Sequence, residues 1–492
     1  MSQPLALWRR IVASTRTVSR TEWLFFGVLI LCYAFFLEPA GTNTISRYDM
    51  VWALAHGTAR IDAIHTNTID ISTYNGHYYS PRSLGLSLLS VPVFDVVQLI
   101  MHNPPVTNAT MNIAIPIINL FTVVPIAIMA TIVFYRFVLR LRPDLSGTPA
   151  PFVVTTAFAL GTLEYPFAVS FFSHAMGGGL MLIGFYCLFR ARSSPAPERL
   201  VLLAGLLVGY AVITEYPTGI IMLALCGYIL AVFPERRLRT LLVFGAAMLP
   251  SVLLLGWYDW FAFGSPLHLS YDSVSGAKFN GQHIGFFGIT FPQPGALVQI
   301  LAWPRGLLVE SPFLIFVVVG FVRWWRASVR PSAEMLVCLA VSVVYPLVIS
   351  SYYLPMAGEN LPGPRLLVPM LPFACLALVW AVDERNDVVR GIFAGLLALG
   401  VLLSALYVVT GVREYHTMLT YPVSELYLPV LSTGYIPNSK GNGPTPLNLA
   451  SYYLGVSQTV SLYLLLMVLA IWTIYVCMAL IYWRPAPPSS DA

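Results

Sequence analysis

Residues 457–482, SQTVSLYLLLMVLAIWTIYVCMALIY, decide the class of this chain, because the stretch contains no charged residue. A helix that spans a bilayer needs about 20 mostly apolar residues, so this stretch is predicted to cross a membrane. Of all 492 residues, 57% are hydrophobic and 10% are charged, whereas a soluble protein carries about 25% charged residues. Lipid is therefore predicted to be the solvent for most of the surface. The net charge of +5 is too small to indicate a partner made of nucleic acid.

Outward from this stretch, apolar runs of similar length recur along the whole chain and predict an all-α polytopic membrane protein with about twelve transmembrane helices. The pair between residues 200 and 233 is short and is split by Glu215-Tyr216-Pro217, so it is also compatible with one broken hairpin. The predicted spans lie near 22–38, 111–135, 150–168, 172–190, 200–214, 217–233, 238–262, 305–322, 333–353, 366–382, 391–411 and 457–482.

The positions of the basic residues predict the orientation of these helices. With the N-terminus inside the cell, 19 of the 27 basic residues fall in alternating inner loops, as the positive-inside rule requires. Counting the apolar stretch 83–101 as a span would invert every later loop, so it is predicted to be a helix that lies at the outer surface or dips partway into the membrane. The predicted organisation is a cytoplasmic N-terminus (1–21), a membrane domain (22–483) with long outer loops (39–110, 263–304 and 412–456), and a cytoplasmic tail (484–492). The predicted location is the cell membrane, with the chemistry at its extracytoplasmic face.

The first outer loop is the segment richest in chemically active side chains. Asp49, Asp62 and Asp70 are candidates for a general base that deprotonates an acceptor hydroxyl, because a carboxylate within hydrogen-bond reach suits that role. The alternative is an ordinary surface carboxylate that pairs with Arg47 or Arg60. Residues 46–56 have a weak helical pattern, which places Asp49 near the start of a helix at the membrane surface.

Polar side chains also stand at the outer ends of several apolar helices, where a charge is costly unless it faces a cavity or a partner. Together they predict a shared polar cavity open to the outside. For His174 and Glu215 the alternative is that they satisfy each other or the broken backbone at Pro217. Arginines on this side are candidates for holding a phosphate at headgroup depth, because the guanidinium binds phosphate oxygens in a bidentate manner. The alternative for Arg305 and Arg365 is interfacial anchoring. The candidates for the cavity or acceptor are His77, Tyr78, His174, Glu215, Tyr216 and Glu359, joined at the helix ends by Glu164, Asp259 and Glu310, and those for the donor phosphate are Arg82, Arg365, Arg305 and Arg47.

Several common kinds of chemistry lack their sequence signatures. No Walker or dinucleotide pattern and no HExxH, GxSxG or CxxC pattern is present, so soluble-cofactor and common hydrolase mechanisms have no support. The six cysteines are scattered through apolar stretches and indicate neither a disulfide framework nor a zinc site. No cofactor is expected to be required, and no clear set of metal ligands is present.

Four stretches resemble the GT-C glycosyltransferases, and most closely the bacterial protein O-mannosyltransferase and aminoarabinose-transferase group. They are Ser46-Arg47-Tyr48-Asp49, the segment from Gly76 to Gly85, Phe172-Ser173-His174-Ala175 together with Thr214-Glu215-Tyr216-Pro217, and Gly363-Pro364-Arg365. The resemblance implies a large first outer loop with juxtamembrane helices and the catalytic carboxylate. It also implies a cavity shared by a lipid donor and an acceptor.

The match to the family has two departures. Asp49 is the position matched to the catalytic acid, but many members carry Asp or Glu just before the Arg-Tyr pair, where this chain has Asn43-Thr44-Ile45-Ser46. Asp62 and Asp70 therefore remain alternatives. Members often have a Lys-Pro-Pro segment before the next helix; here the segment reads Ser80-Pro81-Arg82-Ser83, and Arg82 is able to supply the cation.

The resulting hypothesis is an inverting glycosyltransferase that moves one sugar from a polyprenyl-phosphate donor to a glycan, lipid or protein acceptor. The alternative is a secondary transporter or flippase, which predicts polar groups near the bilayer midplane and an internal repeat. Only one broken segment, near Pro217, is apparent, and the polar groups favour one leaflet. A ligase or polymerase for lipid-linked glycans shares the donor chemistry and is a third possibility.

Overall fold

A computed structural model describes residues 19–37, 40–275, 281–282, 284–327, 332–356, 363–382, 386–410, 421, 423–433, 435–438, 441–444 and 447–482. These residues are predominantly helical, which confirms the predicted all-α class. The α-helices are Arg20–Phe35, Thr42–Ala55, Leu84–Ile100, Asn108–Leu141, Ala150–Gly161, Glu164–Ala168, Ser173–Ala191, Pro197–Thr214, Gly219–Val232, Arg237–Phe263, Pro294–Ala302, Leu307–Glu310, Phe316–Arg326, Ala333–Ser350, Leu371–Leu376, Leu378–Ala381, Asp387–Thr410, Leu428–Thr433, Leu449–Leu454 and Gln458–Tyr482. Three antiparallel pairs of short strands join Phe36–Leu37 to Leu447–Asn448, Ser72–Tyr74 to His77–Tyr79, and Tyr435–Asn438 to Gly441–Pro444.

Among the described residues, six helices are long and apolar enough to cross a bilayer: Asn108–Leu141, Pro197–Thr214, Arg237–Phe263, Ala333–Ser350, Asp387–Val409 and Val460–Tyr482. A seventh crossing results if Pro294–Glu310 and Pro312–Arg326, which meet at a bend of 113°, count as one span. Several of the other predicted spans are shorter apolar helices. The chain is therefore a multi-pass membrane protein whose spans are partly short or broken helices.

The helices break where polar side chains enter the bundle. Inside a membrane, each backbone group freed by a break needs a new hydrogen-bond partner. After the break at Thr214, the carbonyl oxygen of Thr214 accepts a hydrogen bond from the hydroxyl of Ser83, and that of Glu215 accepts one from Thr218 Oγ1 at 2.8 Å. After the break at Gly161, the carbonyl of Thr162 accepts a hydrogen bond from Ser404 Oγ at 3.0 Å. These hydroxyls make the breaks tolerable, and the breaks carry Glu164 and Glu215 into the interior.

Three consecutive glycines in the helix Ser173–Ala191 bring together the elements around the break after Thr214. A Cβ atom on Gly177 would lie 2.9 Å from Glu215 Cβ, one on Gly178 would lie 2.8 Å from Pro369 Cα, and one on Gly179 would lie 3.0 Å from Ala130 Cβ. Small residues allow membrane helices to approach closely. The Gly177–Gly179 run therefore positions Glu215 and the 3₁₀ segment Arg365–Met370 against the same helix.

Residues 40–107 connect the helices Arg20–Phe35 and Asn108–Leu141 and contain two further helices. The predicted helix at 46–56 is present as Thr42–Ala55, and ten of its fourteen residues are buried. The stretch predicted to lie at the outer surface is the helix Leu84–Ile100, which packs against Thr42–Ala55, Asn108–Leu141 and Pro197–Thr214. Between these two helices, Asn75 and Gly76 turn the hairpin Ser72–Tyr79 with positive φ angles of 48° and 78°, as a two-residue Asn-Gly turn does.

We expect the Gly85→Ala substitution to destabilise this packing. A Cβ atom on Gly85 would lie 2.8 Å from Thr214 Cα and even closer to the Thr214 hydroxyl, and overpacking of this kind costs about 1–3 kcal/mol. The melting temperature of the protein in detergent should fall. Gly27→Ala is the matched control, because no atom lies within 4 Å of its added Cβ and alanine favours a helix. An unchanged melting temperature for Gly85→Ala would mean that the backbone at Gly85 and Thr214 can move apart without a loss of stability.

Candidate functional site

Asp70 and Arg82, which belong to the segment 40–107, meet Arg365 from a distant part of the chain beside the buried helix Thr42–Ala55. Arg82 Nε donates a hydrogen bond to Asp70 Oδ2 at 2.7 Å, and Arg82 Nη2 donates to the same oxygen. With its amide oxygen facing the guanidiniums, Asn43 accepts hydrogen bonds from Arg82 Nη2 at 2.7 Å and from Arg365 Nη2 at 3.3 Å. All four side chains are buried or nearly so. Both of these bonds from Arg82 end on the Oδ2 atom of Asp70.

A second polar group lies alongside, at the break after Thr214. Arg47 Nη2 donates a hydrogen bond to Ser173 Oγ at 2.9 Å, and Ser173 Oγ donates to Glu215 Oε2. His174 Nδ1 lies 3.0 Å from the same Glu215 oxygen. The structure thus brings His174 and Glu215 into direct contact, and it links them to the first loop segment through Ser173 and Arg47.

Arg47 has unused capacity for hydrogen bonds. Its side chain is buried, and its Nε and Nη1 atoms have no hydrogen-bond partner among the described residues. Burial lowers the pKa of its guanidinium to about 10, and the neighbouring charges of Arg82 and Arg365 act in the same direction while Glu215 opposes them. A buried charge with unsatisfied donors is costly, so a site of this kind favours an anion that can accept their hydrogen bonds.

The three candidate carboxylates occupy three different environments. Asp62 is largely exposed and accepts hydrogen bonds from His77 Nδ1 and from the backbone N–H of Tyr78, each at 2.7 Å. Burial opposes ionisation of Asp62, but these bonds and the charges of His77 and Arg60 lower its pKa overall. Asp62, His77 and Tyr78 therefore tie the hairpin to the preceding turn. Only Asp70 of the three is bonded to an arginine of the cluster.

Asp49 is buried on the helix Thr42–Ala55 and contacts Asn67 instead. Asn67 Nδ2 donates a hydrogen bond to Asp49 Oδ1 at 3.2 Å, and Oδ2 has no partner among the described residues. Burial raises the pKa of Asp49 to about 7, and the hydrogen bond from Asn67 opposes this only in part.

This pKa predicts how Asp49 affects stability. A carboxyl group with a folded pKa near 7 and an ordinary unfolded value of 3.8 stabilises the fold only while it is protonated, so its destabilising effect grows as the pH rises from about 4 to 7. We therefore expect Asp49→Asn to raise the melting temperature at pH 8 and to change it little at pH 4.5. Melting curves of both proteins in detergent across this pH range test the expectation. An equal increase in melting temperature at pH 8 and at pH 4.5 would contradict the expectation.

Arg305 forms a third polar group with Glu310, next to the 3₁₀ segment Arg365–Met370. Arg305 is 8% exposed, and its Nη1 atom has no partner among the described residues. Glu310 Oε1 accepts a hydrogen bond from the Tyr407 hydroxyl at 2.7 Å. A Cβ atom on Gly363, whose φ is 39°, would lie 2.7 Å from the Arg305 carbonyl oxygen, so this turn requires glycine. The close approach places Arg305 next to the turn that leads into Arg365.

The other polar residues predicted at the helix ends do not all converge. Glu164 is buried, and both of its carboxylate oxygens lack a hydrogen-bond partner among the described residues. Asp259 is buried near Tyr216, and Tyr216 packs edge-on against Tyr271 with ring centroids 5.7 Å apart. Glu359 lies outside the described residues. In the described part of the chain, no three His, Cys, Asp or Glu side chains are arranged to hold a metal ion.

An apolar groove of about 660 Å³ opens between the helices Phe316–Arg326 and Ala333–Ser350. Its lining includes Leu307 and Leu308, which follow Arg305 closely in the chain, and Met370, which ends the segment that begins at Arg365. The groove continues to Trp325 at the end of its helix. The lining thus includes residues that adjoin Arg305 in the chain, and it also includes Arg326 at the end of the helix Phe316–Arg326.

Sequence reasoning overlooked two members of this site, Ser173 as a link to Glu215 and Tyr271 near the arginines. Ser173 was noticed only as the neighbour of His174, and nothing in the pattern of residues 264–275 distinguishes Tyr271. Asn43 was noticed only as a departure from the family pattern. With its amide oxygen turned toward the guanidiniums it accepts hydrogen bonds from two arginines, so a neutral amide occupies a position where a carboxylate would neutralise them.

No family model matches the chain, and no curated protein matches it in sequence. Solved structures do match. ArnT from Cupriavidus metallidurans in the apo state has a TM-score of 0.51 and 13% identity, over 94% of this chain and 76% of that one. The structure of the same protein bound to undecaprenyl phosphate has a TM-score of 0.47 and 14% identity, over 94% of this chain and 76% of that one. A third structure is the archaeal oligosaccharyltransferase AglB from Archaeoglobus fulgidus in complex with an inhibitory peptide and a dolichol-phosphate. It has a TM-score of 0.47 and 11% identity, over 95% of this chain and 57% of that one. At this level of identity the match to apo ArnT shows the fold alone: the chain has the fold of ArnT.

Proposed function

We propose that this protein is an inverting glycosyltransferase that takes a sugar from a polyprenyl-phosphate donor and passes it to an acceptor hydroxyl. The observation that carries the proposal is the arginine cluster formed by Arg47, Arg82 and Arg365 beside Asp70. Among the described residues, the carboxylates beside these three guanidiniums are Asp70 and Glu215. Three guanidiniums brought together in this way suit a bound phosphate, because guanidinium groups form strong charge-assisted hydrogen bonds to phosphate oxygens.

Each step of the transfer has a candidate group. Asp70 accepts the proton of the acceptor hydroxyl through its second carboxylate oxygen, while Arg82 holds the first oxygen in place. The acceptor oxygen forms a bond to the anomeric carbon of the sugar, and the bond from that carbon to the phosphate oxygen breaks. The electron pair leaves with the polyprenyl phosphate, whose added charge Arg47 and Arg365 stabilise. Arg305 lies next to the turn at Gly363, which leads into Arg365, and is a further candidate for contacting the phosphate.

Asp70 is a better candidate for the base than the other two acids of the segment. It is adjacent to the arginines, as the acceptor must be if its oxygen is to attack the carbon next to the phosphate. Asp49 was the first choice from the family pattern, and its pKa near 7 suits a base, but its described hydrogen bond is to Asn67. Asp62 is bonded within the hairpin. His174, Glu215 and Tyr216 are proposed to line the cavity that receives the acceptor.

The apolar groove is proposed to hold the isoprenoid chain of the donor. Its lining is dominated by leucine and valine, and its Leu307 end lies near Arg305 and the turn at Gly363. A lipid with a charged head and a long apolar tail requires a positively charged site next to an apolar groove. ArnT, which shares the fold, has been solved with undecaprenyl phosphate, a lipid of this class.

The proposed orientation places the site at the extracytoplasmic face of the cell membrane and both termini in the cytoplasm. Arginine-rich helix ends support this arrangement, because Arg140 and Arg237 lie at the ends of their helices far from the segment 40–107. Cytoplasmic loops carry the excess of basic residues in membrane proteins. Residues 39–110, 263–304 and 412–456 are then outer loops, and 1–21 and 484–492 are cytoplasmic.

The direct test is sugar transfer by the purified protein in detergent. Farnesyl-phosphate-linked hexoses and pentoses serve as donors, with a mixture of lipid, glycan and peptide acceptors. We expect one donor to be consumed and free farnesyl phosphate to inhibit the reaction. If no donor is consumed while proteoliposomes carry a lipid-linked sugar across the membrane, the transporter hypothesis replaces this one.

A further inference from the structure

Residues 270–275 are hydrogen-bonded to residues 71–73, directly beside Asp70. Ser72 Oγ donates a hydrogen bond to the carbonyl oxygen of Ser270 at 2.8 Å, although 198 residues separate the two. The backbone N–H of Ser275 donates to the carbonyl oxygen of Ile71 at 3.0 Å, and its hydroxyl donates to Thr73 Oγ1 at 2.7 Å. These bonds hold the short 3₁₀ turn Ser270–Ser273 next to Asp70.

Tyr271 is the aromatic residue of this turn, and its ring is held from a second side. The ring packs edge-on against Tyr216, which belongs to the break that contains Glu215. The phenol lies close enough to Arg82, Glu215, Arg47 and Asp70 to interact with their charges. Its hydroxyl nevertheless makes no hydrogen bond to any residue that the structure describes. The side chain is thus fixed in position, and its polar end is available to a ligand.

The chemistry of the proposed transfer defines what occupies the space near this hydroxyl. In an inverting reaction, the acceptor oxygen and the departing phosphate oxygen lie on opposite sides of the anomeric carbon. The sugar ring must therefore lie between the carboxylate that takes the proton and the arginines that hold the phosphate. Tyr271 is near both groups.

We propose that Tyr271 contacts the transferred sugar and that its hydroxyl donates a hydrogen bond to a sugar oxygen. This inference rests on the proposed function and adds a residue that selects the sugar. A phenol suits the role, because its ring offers an apolar face and its hydroxyl both donates and accepts. Burial raises the pKa of Tyr271 above its usual value, so the group keeps its proton and remains a donor at neutral pH.

The Tyr271→Phe variant tests the proposal, because it keeps the ring and removes only the hydroxyl. We expect kcat/KM for the preferred farnesyl-phosphate sugar to fall about 10-fold, as for the loss of one hydrogen bond made in the transition state. The ratio of kcat/KM between the preferred donor and the other hexose and pentose donors should become smaller. The affinity for sugar-free farnesyl phosphate should remain within about 2-fold of that of the wild type, because the arginines are intact.

Tyr74→Phe is the matched control. Tyr74 belongs to the neighbouring hairpin, and its ring contacts Phe263 and His268. This variant should transfer sugar like the wild type. Equal donor kinetics for Tyr271→Phe and the wild type would overturn the inference, as would a weakened affinity for farnesyl phosphate itself, which would assign Tyr271 to the phosphate. A wild-type protein that binds farnesyl phosphate but consumes no donor would instead overturn the proposed function.

Discussion

Replacing Asp70 with asparagine is expected to lower kcat for sugar transfer by about 10³-fold, in the range that general base catalysis contributes. Asparagine has nearly the same shape and can still accept the hydrogen bonds of Arg82 through its amide oxygen. It cannot take a proton from the acceptor. The affinity for farnesyl phosphate should change little, so the loss should appear in kcat rather than in KM. Donor consumption by purified wild type and variant measures the effect.

The two other acids of the same segment make this test specific. Asp49→Asn and Asp62→Asn should retain most of the activity, because the described bonds of these residues lead to Asn67 and to the hairpin. Asp95→Asn is the matched control, since Asp95 is exposed on the helix Leu84–Ile100. Full activity of Asp70→Asn together with loss in Asp49→Asn would move the base to Asp49 and would support the original reading of the family pattern.

Replacing Arg365 with glutamine is expected to weaken the binding of farnesyl phosphate about 100-fold. A hydrogen bond to a charged group contributes about 1.5–3 kcal/mol, and each 1.4 kcal/mol corresponds to about a factor of ten in affinity. Arg365→Lys should recover only part of this loss, because an ammonium group lacks the planar fork that binds two phosphate oxygens. Inhibition of sugar transfer by farnesyl phosphate, or its direct binding to the protein, measures the change.

Arg60→Gln is the matched control for this charge, because Arg60 is exposed on the same connecting segment as Arg82. It should bind farnesyl phosphate like the wild type. If Arg365→Gln keeps wild-type affinity and Arg305→Gln loses it, the phosphate lies at Arg305, and the groups near Arg365 then serve the acceptor. The order of effects on KM and kcat therefore separates the residues that hold the donor from the residue that activates the acceptor.

The departure at Asn43-Thr44-Ile45-Ser46 is the reason that Asp62 and Asp70 remain alternatives to Asp49. Many members of the family that the sequence resembles carry an acid just before the Arg-Tyr pair, whereas in this chain the acid nearest to that pair is Asp49, which follows it. In the structure Asn43 accepts hydrogen bonds from Arg82 and Arg365, and Asp70 supplies the negative charge beside them. A carboxylate from another part of the segment thus faces the arginines, which local comparison of the sequence could not reveal.

The sequence by itself determined the class of the protein and the neighbourhood of its site. The depletion of charge and the apolar runs required a multi-pass helical protein, because hydropathy and helical periodicity are local properties of the chain. The same local reasoning found the helix at Thr42–Ala55 and the short apolar helix at Leu84–Ile100. It also identified Arg47, Arg82, Arg365 and Glu215 as residues of interest, because a charge near an apolar helix must have a partner.

Only the tertiary structure decided which of these residues meet. Three aspartates lie within one short stretch of sequence, and the hairpin Ser72–Tyr79 and the turn Ser270–Ser273 place Asp70 alone against the arginines. The hydrogen bonds that hold the turn of Tyr271 join Ser72 to Ser270 and Thr73 to Ser275, about 200 residues apart in the chain. The approach of Glu215 to the helix Ser173–Ala191 depends on Gly177. Ion pairs and ring contacts act over a few ångströms in space, and separation along a chain carries no information about such distances until the helices have packed.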